Sequence, residues 1–236
     1  MTTTIYKADS RGYADHGWLK ACYYFSFSGY RNPERQHFGA LRVINNDTVA
    51  AGAGFPAHPH DNMEIITIPL TGAIAHRDSS GGAGIIRAGD VQIMSAGSGI
   101  RHSEFNASET EAATLFQIWI YPKERNITPR YGQQTFLPEE RLNRFQTVVA
   151  PDEAGALWIN QDAWLSLSDL QAGRELDYPL RRPGNGVYLI VVSGSVRLGN
   201  DILEEKDAIA VTGADVFPLS AVTDAQLLLI EVPMHW

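Results

Sequence analysis

The chain has 236 residues, 44% of them hydrophobic and 19% charged, which is enough to bury a core in one large domain or two of ordinary size. Nineteen basic against 27 acidic residues leave a net charge of −8 and no concentrated Lys/Arg run, so direct binding to a phosphate backbone is not expected. No apolar stretch is long enough to span a bilayer, the N-terminus resembles neither a secretory signal nor a transit peptide, and the single cysteine excludes an intrachain disulfide, which together predict a cytoplasmic protein with no membrane association.

In chain order the pattern is one of short strands between turn signals. Residues 22–27 and 40–44 read as strands, and Asn45-Asn46-Asp47 reads as a turn into Thr48-Val49-Ala50. Cys22 lies in the apolar run 21–25 and is expected to be a packed core residue rather than a nucleophile. Gly52 and Gly54 are expected to let the backbone turn sharply. Strands follow at 63–70, 73–78, 84–87, 91–94 and 114–121, then a Pro-rich, charged connection over 122–144 with helix-start character only at 138–143. Strands return at 145–149, 164–170, 187–192, 208–212 and 227–232. The chain is therefore expected to be all-β, with the short strands and Gly/Pro turns of sandwiches and barrels.

Between these strands lie two polar pairs, His58-Pro59-His60 and His102-Ser103-Glu104, separated by 42 residues from His60 to His102. Side chains at i and i+2 leave the same face of a strand, so each pair projects together and three imidazoles and one carboxylate can converge. Pro59 favours extended backbone before it and, lacking an N–H, implies an edge strand or a bulge. Imidazole plus carboxylate without thiolate suits a divalent first-row ion: Fe, Ni, Cu, Co, Mn or Zn. Glu64 is a less secure member of the set. His16, His37 and His76 fall outside the paired spacing and are expected to be structural or exposed.

Residues 68–75 resemble residues 190–197, and each stretch is followed by a turn and an acidic strand start, at Asp90 and Asp207. One β-module is thus used twice. Counting from these anchors places Leu180, Arg182, Leu219 and Ala221 where the first copy has His58, His60, His102 and Glu104, so the second copy is expected to bind no metal.

The spacing Gly52, His58, His60, Glu64 resembles the first motif of the cupins. The longer run of motifs, His37-Phe38-Gly39-Ala40-Leu41-Arg42, Gly54-Phe55-Pro56-Ala57-His58-Pro59-His60, His76-Arg77-Asp78-Ser79 and Gln92 through Glu104, resembles the pirin family, most of all its bacterial quercetinase-like members. The resemblance is dense from about residue 8 to 131 and thin beyond.

That resemblance implies a bicupin of two β-barrel or sandwich domains: residues 1–130 carrying the metal and residues 131–236 without ligands. It implies His58, His60, His102 and Glu104 as the metal ligands and leaves Glu64 outside them as a neighbouring, non-ligating candidate. One divalent ion per chain is expected, with iron ranked ahead of nickel, copper, cobalt, manganese and zinc. The implied activity is cleavage of a flavonol such as quercetin by O2 with release of carbon monoxide; to Glu104, the one anionic ligand, we assign in addition the acceptance of the substrate's 3-hydroxyl proton. The competing expectation is a non-enzymatic metal or redox sensor that binds a regulatory or metabolic protein.

Overall fold

Short β-branched and aromatic runs punctuated by glycine and proline fold here into strands almost throughout. The computed structural model describes residues 1–235. In chain order the strands are β1 (Thr2–Tyr6), β2 (Gly12–Asp15), β3 (Leu19–Tyr23), β4 (Leu41–Val49), β5 (Gly54–His60), β6 (Glu64–Thr71), β7 (Ala73–Asp78), β8 (Ala83–Arg87), β9 (Asp90–Ser95), β10 (Ile100–Asn106), β11 (Ala113–Ile120) and β12 (Arg130–Thr135). They continue with β13 (Gln146–Ala150), β14 (Leu157–Trp158), β15 (Trp164–Leu170), β16 (Glu175–Pro179), β17 (Asn185–Ser193), β18 (Val196–Leu198), β19 (Asp201–Leu203), β20 (Ala208–Thr212), β21 (Val216–Ala221) and β22 (Ala225–Pro233). The helices among the described residues are two single 3-10 turns, Ala8–Ser10 and Pro138–Glu140, and none is long and apolar enough to cross a membrane.

The chain divides into two compact units. The first comprises Gly12–Phe136 and Leu157–Gln161; the second comprises Met1–Arg11, Leu137–Ala156 and the chain from Asp162 onward. The division therefore falls six residues later than the expected 130/131, because residues 130–135, read as connection, form β12 and pair with β9. The N-terminal strand β1 lies in the second unit, paired with β20. Thr2-Thr3-Thr4-Ile5-Tyr6 carries the β-branched character of a strand but nothing that names so distant a partner.

Each unit is built from a four-stranded sheet and a larger one, in matching order. In the first unit these run β5-β10-β7-β8 and β12-β9-β6-β11-β4-β3-β2; in the second they run β16-β21-β18-β19 and β1-β20-β17-β22-β15-β13. The internal repeat is thus a repeat of topology, with β1 taking in the second unit the place that β12 takes in the first.

The repeat does not extend to the interior. In the second unit both sheets send aliphatic and aromatic side chains inward, among them Tyr178, Phe217, Val196, Leu189, Leu227 and Leu229, in one continuous core. Each such side chain contributes about 1.5–3 kcal/mol by leaving water. Counting along the sequence misplaced the equivalents of the first histidine pair: Leu180 and Arg182 lie beyond the end of β16, and Arg182 is exposed and paired with Asp162 at 2.9 Å. The β21 positions, Leu219 and Ala221, are buried in the core. One buried carboxylate, Glu231 on β22, accepts hydrogen bonds from Tyr178 Oη at 2.9 Å, Asn185 Nδ2 at 2.8 Å and the backbone N–H groups of Arg181 and Arg182.

In the first unit the chain runs straight through Asn45-Asn46-Asp47 as the middle of β4, where a turn was expected. Asn45 and Asp47 are turn formers by propensity, but pairing with β3 on one side and β11 on the other overrides it. Cys22, expected in the core, is only partly buried: Ala21 and Tyr23 take the inward face of β3 and leave Cys22 on the other.

Candidate metal centre and cavity

The two polar pairs meet because β5 and β10 are antiparallel neighbours with His102 directly across from His58. β5 is an edge strand, which accommodates Pro59. Gly52 makes the approach at φ 65°, and Gly54 allows the strands to close: a Cβ there would lie 2.3 Å from the Glu104 carbonyl oxygen. The β10 register shifts between His102 and Glu104, a bulge at the ligand pair itself.

His58, His60 and His102 each offer a ring nitrogen within 4.8 Å of the others, with ring centroids 4.4 to 4.9 Å apart. Glu104 forms a second such group with His102 and His76. All four expected ligands therefore border one site, with His102 common to both groups. His76 is the residue the spacing argument missed. It lies on β7 directly across from Glu104, its ring is 5.3 Å from that of His102, and its Nε2 pairs with Asp78 Oδ2 at 3.0 Å with both side chains fully buried. Asp78 in turn accepts from Ser80 and from Gly82 N. Of the two expectations, exposed or structural, the structural one fits this placement, while its closeness to Glu104 and His102 was not foreseen; the turn at Gly72 hid the register from any count along the sequence.

The donors fit a divalent ion. His58 Nδ1 lies 2.8 Å from the Pro56 carbonyl, to which it can only donate, so the Nε2 lone pair is free to coordinate. His60 Nε2 and both ring nitrogens of His102 are buried without a hydrogen-bond partner. Burial, with the other histidines beside them, lowers the His60 pKa to about 4 and the His102 pKa to about 3, so both rings are neutral at pH 7 and ready to bind metal.

Glu104, 5% exposed, is held from the facing sheet: Thr67 Oγ1 donates to it at 3.2 Å, and Gln117 Nε2 reaches its two carboxylate oxygens at 3.3 and 3.4 Å. Gln92, Thr67, Gln117 and Asn45 form one row across β9, β6, β11 and β4 on the face turned to the site. The corresponding row of the second unit reads Ile209, Leu189, Leu229 and Ser166, aliphatic at the three positions where the first unit has Gln92, Thr67 and Gln117.

Glu64 belongs to the other face. It sits three residues before Thr67 on β6, hence at opposite parity, and its carboxylate accepts from Ser95 Oγ at 2.8 Å and Asn160 N at 3.2 Å. Burial pushes its pKa up to about 7. The expectation that Glu64 adjoins the metal ligands is therefore overturned; it anchors the loop that carries Asn160.

Beside the histidines opens a cavity of about 340 Å³, within the range of small-molecule sites. Phe27, Phe55, Ile74, Leu115 and Trp119 supply apolar walls, and Asn45, Asp47, Gln117, Glu104, His58 and His60 the polar groups.

The profile described as Pirin matches residues 6–120, and that described as Quercetinase C-terminal cupin domain matches residues 147–232. The chain belongs to the pirin family. A quercetin 2,3-dioxygenase of Escherichia coli K12 is 41% identical over 96% of this chain and 97% of its own length. A pirin-like protein of Caulobacter vibrioides is 43% identical over 94% and 96%. Among solved structures, the Escherichia coli pirin YhhW in complex with nickel(II) superimposes with a TM-score of 0.93 at 40% identity, covering 98% of this chain and 99% of that one. The bicupin architecture is that of this pirin fold.

Proposed function

We propose that the protein is a metal-dependent dioxygenase that cleaves a flavonol such as quercetin with O2 and releases carbon monoxide. The observation that carries this reading is that His58, His60 and the buried carboxylate of Glu104 line a cavity with largely apolar and aromatic walls, and that the His102 ring lies against both histidines. The quercetin 2,3-dioxygenase name of the Escherichia coli relative and the nickel held by YhhW support it.

His58, His60, His102 and Glu104 would hold one divalent ion, which supplies Lewis-acid polarisation of the substrate's oxygens and the chemistry of O2. The chain's own part is positioning and proton handling. Phe27, Phe55, Leu115 and Trp119 take a flat aromatic ligand out of water. Glu104 accepts the 3-hydroxyl proton as the flavonol binds, its carboxylate kept in place by Thr67 and Gln117. Flat phenols other than quercetin meet the same walls, so quercetin stands for a class.

The test is consumption of quercetin by protein loaded in turn with each first-row metal, under air and under argon. Oxygen-dependent loss of quercetin with carbon monoxide in the headspace is expected. Its absence with every metal would contradict the enzyme and favour a metal-bearing sensor.

A further inference from the structure

Two polar side chains in the cavity remain without an assigned task. Asn45 and Asp47 are each 5% exposed, and Asn45 Oδ1 and Asp47 Oδ1 have no hydrogen-bond partner in the protein. They stand at i and i+2 on β4 and therefore share the face that lines the cavity, while Asn46 between them points the other way and donates to the Leu115 carbonyl at 3.3 Å. Asn45 lies across the ladder from Gln117, next to Glu104, and Asp47 lies across from Leu115, one step of about 6–7 Å further along the strand and away from Gln117. A buried acceptor left unpaired is costly, and a central strand would be better served at these positions by the valine that follows at 49.

We propose that Asn45 and Asp47 form a hydroxyl-recognition subsite, which takes phenolic hydroxyls of a flavonol remote from the oxygens presented to the histidines and so selects polyhydroxylated flavonols over those that lack such groups. The assignment rests on the flavonol reading above. Asn45 Oδ1 accepts, and so does the Asp47 carboxylate when ionised, although burial raises its pKa to about 7 and its protonated form can also donate to a phenolic oxygen. Apolar walls alone distinguish poorly between a ring and the same ring bearing a hydroxyl, whereas a pair of buried acceptors rejects the analogue that cannot fill them.

The experiment measures dissociation constants of quercetin and of 3-hydroxyflavone, which lacks the remote hydroxyls, on nickel-loaded protein under argon, followed by admission of air and assay for carbon monoxide. Wild type is expected to prefer quercetin by about tenfold or more. Asp47→Ala and Asn45→Ala are each expected to bring that ratio toward one, with Asp47→Asn retaining most of it. Nickel content and thermal unfolding report whether each variant is intact. Should the alanine variants fail to fold, quercetin with its remote hydroxyls methylated gives the same readout on wild type, and undiminished affinity would overturn the subsite. An unchanged ratio in both intact alanine variants overturns it as well. Carbon monoxide released without discrimination between the two ligands removes the subsite and leaves the enzyme, while discrimination without carbon monoxide supports the subsite and contradicts the enzyme. Failure of quercetin to bind removes both.

Discussion

Gln117 donates its side-chain amide to both carboxylate oxygens of Glu104, at 3.3 and 3.4 Å, while its own Oε1 accepts from Trp119 Nε1 at 3.3 Å. A residue of the large sheet thus fixes the orientation of a carboxylate carried by the small one. Groups that orient a ligating side chain typically contribute about 10–100-fold in metal affinity. Gln117→Leu is accordingly expected to weaken metal binding by that order while leaving the fold intact, measured by competition with a chromophoric chelator. Wild-type affinity in the variant would reduce Gln117 to packing.

Glu104 is expected to serve as proton acceptor as well as ligand. Glu104→Gln preserves shape and loses basicity, and should lower flavonol cleavage by about 10²–10⁴-fold at matched metal occupancy. Part of that rate should return at pH values above the flavonol's own 3-hydroxyl pKa, where the substrate arrives ionised. A neutral-pH rate equal to wild type at full metal loading would leave Glu104 a ligand only.

The sequence disclosed the site more fully than its surroundings. The pairs 58/60 and 102/104 were legible because strand periodicity acts within two residues. The neighbours of His76 and the orientation of Glu64 were not legible because they depend on register across strands: His76 meets Glu104 through the β7–β10 ladder, and Glu64 turns away because Thr67, not Glu64, shares parity with the site. Asn45-Asn46-Asp47 resembled a turn for a related reason, since a strand that feeds polar groups into a cavity has the local composition of a loop. The repeat was legible in its turns, yet the placement of β1 beside β20 was not, because no local signal pairs residue 4 with residue 210.

Glu64 makes stability depend on pH. Its folded-state pKa, raised to about 7 from 4.5 chiefly by burial, means that the native state holds a proton the unfolded chain has lost between those values, so its contribution to stability is present below about 4.5 and is lost as pH rises to 7. Glu64→Gln keeps an acceptor for Asn160 N and removes the titration. Relative to wild type the variant should gain up to roughly 3 kcal/mol between pH 4.5 and 8, read by urea unfolding at the two pH values. A wild-type-minus-variant difference that does not vary with pH would show that Glu64 does not titrate in this window.

In the second unit, Glu231→Ala would strip Tyr178, Asn185 and two backbone N–H groups of their common acceptor. A loss of roughly 2–5 kcal/mol is expected in chemical unfolding, with metal content per folded chain unchanged. A loss of metal from variant that remains folded would contradict the separation of roles between the two units.

One metal site, in the unit formed by Gly12–Phe136 and Leu157–Gln161, is expected to carry the reaction. Metal-free protein titrated with nickel or iron, with the initial rate of carbon monoxide release from quercetin followed at each addition, tests it directly. The rate is expected to rise linearly and level off at one equivalent per chain, and to stay at background throughout the same titration of His102→Ala. A plateau at two equivalents, a rate indifferent to metal, or a normal response from His102→Ala would contradict it.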